Sequence, residues 1–270
     1  MTLSVQAFWL PQGGNAIEEY EDAFDYSIAE RCFAIADGAT ESSFAGRWAQ
    51  GLVRRFTAHP LFQSLGPDCQ WEGDAPAELL EWLEPLQRAW REGIEWERLP
   101  WFAEEKAQAG AFSSLLGFAF AGEESLPRPS ASETPITEGV RWHTLAIGDS
   151  CLFQVRDDAL LTAFPLKCAE QFGNRPLLLS SNPANNRRVW DEVRRDEGDC
   201  QPGDLFLMMT DALAHWFLAQ HEVDEKPWAL LCDLKTEEDF AAFVAHLRQE
   251  RLIRNDDTTL LMIHLTSRDL

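Results

Sequence analysis

RCFAIADGATESSFAGRWAQGLVRRF (31–56) sets two kinds of apolar pattern end to end. RCFAIAD (31–37) is a short strand-like run that stops at Asp37, with Gly38 after it. Beyond it Phe44, Trp48, Leu52 and Phe56 recur every four residues. That spacing is one face of an amphipathic helix, which Ser42 or Ser43 can cap. A strand that ends on an acid and hands over to a helix puts a carboxylate at the rim of a sheet.

The same alternation continues outward. AFDYS (23–27) is a short strand behind Glu21 and Asp22. From Pro76 to Lys106 the pattern is helical through Leu79, Leu80, Trp82, Leu83, Leu86, Trp90 and Ile94, and Pro85 and Pro100 are expected to kink or break it. Five of the eleven tryptophans lie between Trp71 and Trp101 and read as packing surface. AFSSLLGFAFAG (111–122) is a buried-strand pattern, and EESLPRPSASETPITEG (123–139) is an exposed loop. WHTLAI (142–147) and CLFQV (151–155) read as two strands joined by a hairpin turn at Gly148-Asp149-Ser150. DLFLMM (204–209) is another strand, with a helix from Ala212. Thr236-Glu237-Glu238-Asp239 has the form of a capping box, opening a helix with Phe240, Phe243, Val244 and Leu247 on one face. TTLLMIHL (258–265) is the last strand. Without a repeat or a clear linker, this order predicts a single α+β domain over 1–270, with helices outside antiparallel sheets.

The 270 residues are 45% hydrophobic and 25% charged, the balance of a folded chain. Acids outnumber bases 45 to 23, a net charge of −22. Such a chain repels nucleic-acid phosphates and anionic membrane surfaces, so neither is an expected partner. A phosphorylated substrate would need an added positive charge, for which a metal ion is the obvious source. Cys32, Cys69, Cys151, Cys168, Cys200 and Cys232 form no CxxC pair and read as reduced, structural thiols. The opening MTLSVQAFWLPQGG lacks a basic and apolar leader, and no segment approaches membrane-helix length. A cytoplasmic location is the expectation.

Several acids share one local setting. Asp37 ends a strand, Asp149 sits in a Gly-Asp-Ser turn, Asp211 lies between a strand and a helix, and Asp256 directly precedes the last strand. Glu21 and Asp22 precede AFDYS. Any one of these alone is more often a turn former or helix cap than a ligand. Together, at strand ends, they can converge on one rim. Hard carboxylate oxygens so gathered suit Mg²⁺ or Mn²⁺, because without a cation they repel one another.

YEDAF (20–24), FAIADGATESSFAG (33–46), GAFSSLLGFAF (110–120), LAIGDSCLFQVR (145–156), GDLFLMMTDALAHWF (203–217) and NDDTTLLMIHL (255–265), in this order, resemble the metal-dependent serine/threonine phosphatases of type 2C, the PPM family, and most of all its divergent bacterial members. The resemblance implies a four-layer α-β-β-α sandwich, two antiparallel sheets flanked by helices, with two Mn²⁺ or Mg²⁺ ions at one end. It implies that Asp37 bridges both ions, that the carbonyl of Gly38 and the carboxylate of Glu21 serve one, and that Asp211 and Asp256 serve the other. Asp149, with Asp211, resembles the pair that holds a third, weaker ion, and Asp22 an acid that orients the others. Asp37, Asp211 and Asp256 are then the catalytic acids. The implied reaction is hydrolysis of phosphoserine or phosphothreonine by a metal-activated water. The implied substrate is a phosphorylated protein, itself the target of a serine/threonine kinase.

The chain departs from the family pattern in places. Where the family often carries a phosphate-gripping arginine, four residues before Glu21-Asp22, this chain has Ile17. Ala39 stands where many eukaryotic members have a histidine. Arg47 lies on the predicted helix, where a solvated position is the simpler reading. These departures predict weak phosphate binding and leave open an alternative, a phosphatase-fold regulatory or binding module with little catalysis.

Overall fold

The computed structural model describes residues 2–60, 77–120, 140–173 and 176–267. The 123–139 loop and Trp71 lie outside the described residues. One antiparallel sheet runs in the order β1 (Thr2–Leu10), β12 (Thr258–Thr266), β11 (Leu205–Met209), β7 (Cys151–Arg156) and β8 (Ala159–Phe164). The other runs β10 (Arg194–Cys200), β6 (Val140–Ile147), β5 (Leu115–Phe120), β3 (Cys32–Ala36) and β2 (Ala23–Ser27). A short pair, β4 (Phe112–Ser113) with β9 (Leu179–Ser180), stands apart.

The strands read as unbroken apolar runs because both faces of each sheet are covered. In β3, Phe33 and Ile35 point into a layer between the sheets, while Ala34 and Ala36 face α1 (Ala45–Ala58) and α2 (Ala77–Glu92). In β12, Leu261, Ile263 and Leu265 point inward. Leu260 and Met262 face outward, toward α4 (Asp211–His221), α5 (Pro227–Cys232) and α6 (Glu237–Gln249). Phe118 of β5 meets Phe206 of β11 across the middle at 4.8 Å between ring centres. Each such buried aromatic contributes about 2–3 kcal/mol. The result is the expected four-layer α-β-β-α sandwich. No described helix is long and apolar enough to cross a membrane.

Three local expectations are corrected. The strands around Gly148-Asp149-Ser150 do not form a hairpin: β6 pairs with β5 and β10, and β7 pairs with β11 and β8, so the chain crosses there from one sheet to the other. Gly148 makes the corner possible. Its φ is +95°, and a Cβ there would stand 2.7 Å from Ser114 Cβ. Neither Ser42 nor Ser43 caps α1, whose N-cap is Phe44 without a side-chain bond. Ser42 Oγ instead donates to the Ala39 carbonyl and accepts from the Phe112 N–H. Pro85 does not break α2, because it and Glu81, whose carbonyl loses its partner, are both exposed to water. Pro100 does mark a boundary, as the N-cap of α3 (Trp101–Ala109). The Thr236–Asp239 capping box forms as predicted.

Candidate metal centre

Strand register decides where the acids go. Ala23, just after Asp22, pairs with Ala36, just before Asp37. Met209 pairs with both Leu260 and Cys151, which brings the approach to Asp211 beside those of Asp256 and Asp149. Leu115 pairs with Ile147 at the same end of the other sheet. Every predicted acid therefore lies at one end of the sandwich, though the positions span residues 21–256.

Hydrogen bonds hold this end together. The Asp37 N–H donates to Ser114 Oγ at 2.9 Å, and the Ser114 N–H donates to the Asp37 carbonyl at 2.8 Å. Ser114 Oγ also bonds Ser150 Oγ at 2.8 Å, tying the end of β3 to the inter-sheet corner. Asp22 is buried, and its Oδ2 accepts from Thr259 Oγ1 at 2.7 Å. Thr210 Oγ1 in turn accepts from the Thr259 N–H at 3.0 Å. Asp257 serves the backbone instead. Its two oxygens accept from the Gln12 and Glu21 N–H groups at 2.7 and 2.6 Å. Arg248 donates to the carbonyls of Pro11 and Asp256 and so braces the approach to β12.

The acids sit in one another's field. Asp37 is held well above the ordinary carboxylate range by burial, then by the charges of Asp22, Asp211, Asp149 and Asp256. Burial and Asp211 push Asp149 up to about 7. Burial and Asp256 push Asp211 up to about 6. Asp256 and Asp22 are raised for the same first reason, burial. Glu21 stands at the flank: burial raises it, Thr40 bonds its carboxyl, and Asp257 and Asp256 are the acids it feels. So Asp37, Asp149, Asp211, Asp256 and Asp22 are drawn into one cluster, with Glu21 beside it.

The chemistry of this donor set fits a hard divalent cation. All its members are carboxylates, each disfavoured as an anion by the others, and Asp211 Oδ1 is buried with no hydrogen-bond partner. The oxygens are gathered but not closed: among the described residues no three acidic, histidine or cysteine side chains enclose an ion-sized space. Gly38 lies where a Cβ would stand 2.5 Å from the Glu21 carbonyl and 3.0 Å from the Ala45 carbonyl carbon. Both neighbours are backbone and cannot swing aside. Gly38→Ala is expected to cost about 2 kcal/mol in denaturant unfolding and to displace Glu21 from the flank of the cluster. An unchanged unfolding midpoint would show that the close packing is not needed.

Sequence reasoning missed the residues that hold the acids: Ser114, Ser150, Thr210, Thr259 and Asp257. Small polar residues at strand ends carry no signal of their own. It also missed Arg254, whose Nη1 stands 3.9 Å from Asp211 Oδ2. Arg47, for which a solvated helix position was the simpler reading, donates to the Gly93 carbonyl beyond the end of α2.

No protein-family model matches the chain, and no curated protein matches its sequence. Solved structures do match. The serine/threonine phosphatase PstP/Ppp of Mycobacterium tuberculosis aligns over 99% of this chain and 100% of its own at 20% identity, with a TM-score of 0.57. PppA, a regulatory component of T6SS in Pseudomonas aeruginosa, aligns over 98% of both chains at 17% identity and a TM-score of 0.56. The catalytic domain of PstP in complex with two manganese ions aligns over 98% of this chain and 99% of its own at 17% identity, with a TM-score of 0.54. The chain therefore has the fold of the PPM-type serine/threonine phosphatases.

Proposed function

We propose that this chain is a bacterial-type PPM phosphatase that removes phosphate from phosphoserine or phosphothreonine in proteins. The observation that carries the reading is the cluster itself. Asp37, Asp149, Asp211 and Asp256 leave four separate strand ends, meet in one field and leave a buried oxygen of Asp211 unbonded. A fold shared with phosphatases and a resemblance over nearly the whole sequence support it further.

In this reading Asp37, the Gly38 carbonyl, Glu21, Asp211 and Asp256 would hold two divalent cations. Asp149 with Asp211 would hold a third. Bound Mn²⁺ or Mg²⁺ would supply a water of lowered pKa and offset charge on the phosphoryl oxygens. The chain's own part is to fix that site. Ser114 pins Asp37 through the backbone, and Thr259 fixes Asp22 behind the other acids. The buried setting of the acids favours exchange of their protons for a cation. The substrate would be a phosphorylated protein that a serine/threonine kinase had modified. The free thiols of Cys32, Cys151, Cys168, Cys200 and Cys232 support a reducing, cytoplasmic setting. A central layer built from strands near both ends of the chain supports one domain over 1–270.

The purified chain is expected to hydrolyse an aryl phosphate and a phosphothreonine peptide with Mn²⁺ or Mg²⁺ present and to lose that activity in a chelator. Absence of turnover with either ion, in protein that unfolds cooperatively, would defeat the enzyme reading. Mn²⁺ binding without turnover would favour the regulatory module, the reading that Ile17 in place of arginine leaves open.

A further inference from the structure

One stripe of α2 has no part in the acidic cluster. Glu84, Gln87, Arg88 and Arg91 follow at i, i+3, i+4 and i+7, so a single face of the helix carries all four. With Trp90, Trp96, Ala107 and Gly110, this face borders a cavity of about 270 Å³ between α2, α3 and the segment that follows β9. None of Glu21, Asp22, Asp37, Asp149, Asp211 and Asp256 lines it.

The walls are aromatic and fixed. The Trp90 indole is 5% exposed, stands edge-on to Phe44, and donates from Nε1 to the Phe44 carbonyl at 3.4 Å. Trp96 Nε1 donates to the Arg91 carbonyl at 3.0 Å. The opposite side is tied to α3: Asn182 Nδ2 donates to the Gln108 carbonyl at 3.3 Å, and Asn185 Nδ2 to the Ala109 carbonyl at 2.8 Å. Gly110 closes the corner with a φ of +96°, where a Cβ would stand 2.9 Å from Asn182 Cβ. A cavity held in this way is formed before a ligand arrives, so little ordering opposes binding.

The polar groups select the ligand. Gln87 is only 9% exposed, and its Nε2 donates to the Ser180 carbonyl at 3.1 Å. Its Oε1 accepts no hydrogen bond among the described residues, which leaves the cavity one unused acceptor. At the rim Arg88 pairs with Glu84 at 2.8 Å, with side chains 62% and 70% exposed, a contact that a better anion can replace. The Arg91 guanidinium lies 5.8 Å from the centre of the Trp96 ring. Indole walls, a buried acceptor and two guanidinium groups at the rim complement a flat ring that donates an N–H and carries an anion. The volume suits a bicyclic ring with a short substituent.

We infer that this cavity binds a small heteroaromatic anion, with its ring against the Trp90 and Trp96 indoles, its N–H on Gln87 Oε1 and its negative group at Arg88 and Arg91. A purine nucleotide and an indole carboxylate share this chemistry. The full chain is titrated calorimetrically with GMP, indole-3-acetate and naphthalene-1-acetate, the last a near-match in shape without the N–H. A chelator keeps any metal centre from holding the phosphate. The same titrations are run on Gln87→Met and on Arg88→Gln/Arg91→Gln, with thermal unfolding to verify the fold. The Ser180 carbonyl also accepts from Asn186 Nδ2 at 2.9 Å, so Gln87→Met does not leave it unpaired.

GMP or indole-3-acetate is expected to bind the wild type at a single site, and the tighter of the two identifies the source of the ligand. Gln87→Met should weaken that binding about tenfold. Naphthalene-1-acetate should bind the wild type about tenfold more weakly than indole-3-acetate, and the two should become alike in Gln87→Met. Arg88→Gln/Arg91→Gln should weaken both anions about tenfold and keep the preference for the N–H. A wild type that binds neither GMP nor indole-3-acetate would overturn the inference. So would an affinity left unchanged in Gln87→Met or in the double arginine variant. If Gln87→Met does not fold, naphthalene-1-acetate binding the wild type as tightly as indole-3-acetate would overturn it equally.

Discussion

Asp37→Asn is expected to lower Mn²⁺-dependent hydrolysis by about a thousandfold or more, and to leave the metal-free protein at least as stable as wild type. The two effects share one cause. Asp37 is partly buried and sits in the field of Asp22, Asp211, Asp149 and Asp256, so its negative charge is opposed by its neighbours. That opposition is what a cation between the carboxylates would relieve. Asparagine keeps the shape and the backbone bonds to Ser114, which involve only the N–H and carbonyl of residue 37. It removes the charge, hence both the repulsion in the metal-free state and the site for an ion. Thermal unfolding with and without Mn²⁺, with steady-state hydrolysis, separates this from a folding defect. A variant that keeps a tenth or more of wild-type turnover would show that hydrolysis does not depend on the Asp37 carboxylate.

How much of this was legible from sequence depended on the range of the interaction. CFAIA, LLGFAF, LFLMM and TTLLMIHL show as strands because both faces of their sheets are covered, by the opposite sheet and by helices. The capping box at Thr236 is a contact within four residues and shows equally well. Partner choice does not show. Gly148-Asp149-Ser150 has the composition of a hairpin turn, and nothing local reveals that the strands on either side belong to different sheets. Edge strands such as β10, RRDEGDC, are half solvated and charged, so their apolar pattern is thin. The acids could be picked out singly as strand-end residues. Their convergence came from the family resemblance, since only register across distant strands brings Asp22, Asp37 and Asp211 together. Arg254 had no signal, because an arginine in a polar stretch before a strand reads as a solvated side chain.

Metal-free protein is expected to be markedly more stable at pH 5 than at pH 8, and Mn²⁺ to abolish or reverse that order. Asp149 lies near 7 and Asp211 near 6 in the folded chain, against 3.8 when solvated. A carboxyl raised on folding binds its proton more tightly in the native state. Its contribution is complete below the unfolded value and disappears as pH climbs through the folded one. For these two groups the window runs from about pH 4 to about pH 7, and between pH 5 and 8 the loss is on the order of 4 kcal/mol. That corresponds to a fall in Tm of about 10 °C. The net charge of −22 pushes in the same direction, so the wild-type slope alone does not locate its source. The double variant Asp149→Asn/Asp211→Asn does, because it removes two titrating groups and little of the general repulsion. Its slope should be clearly shallower than that of wild type, with the remainder left to the other raised acids and the general charge. Mn²⁺ inverts the sign: the carboxylates must release protons to bind it, so saturating metal stabilises more as pH rises. A metal-free Tm that stays level or climbs from pH 5 to 8, or a double variant with the full wild-type slope, would mean that the acids do not crowd one another as their placement requires.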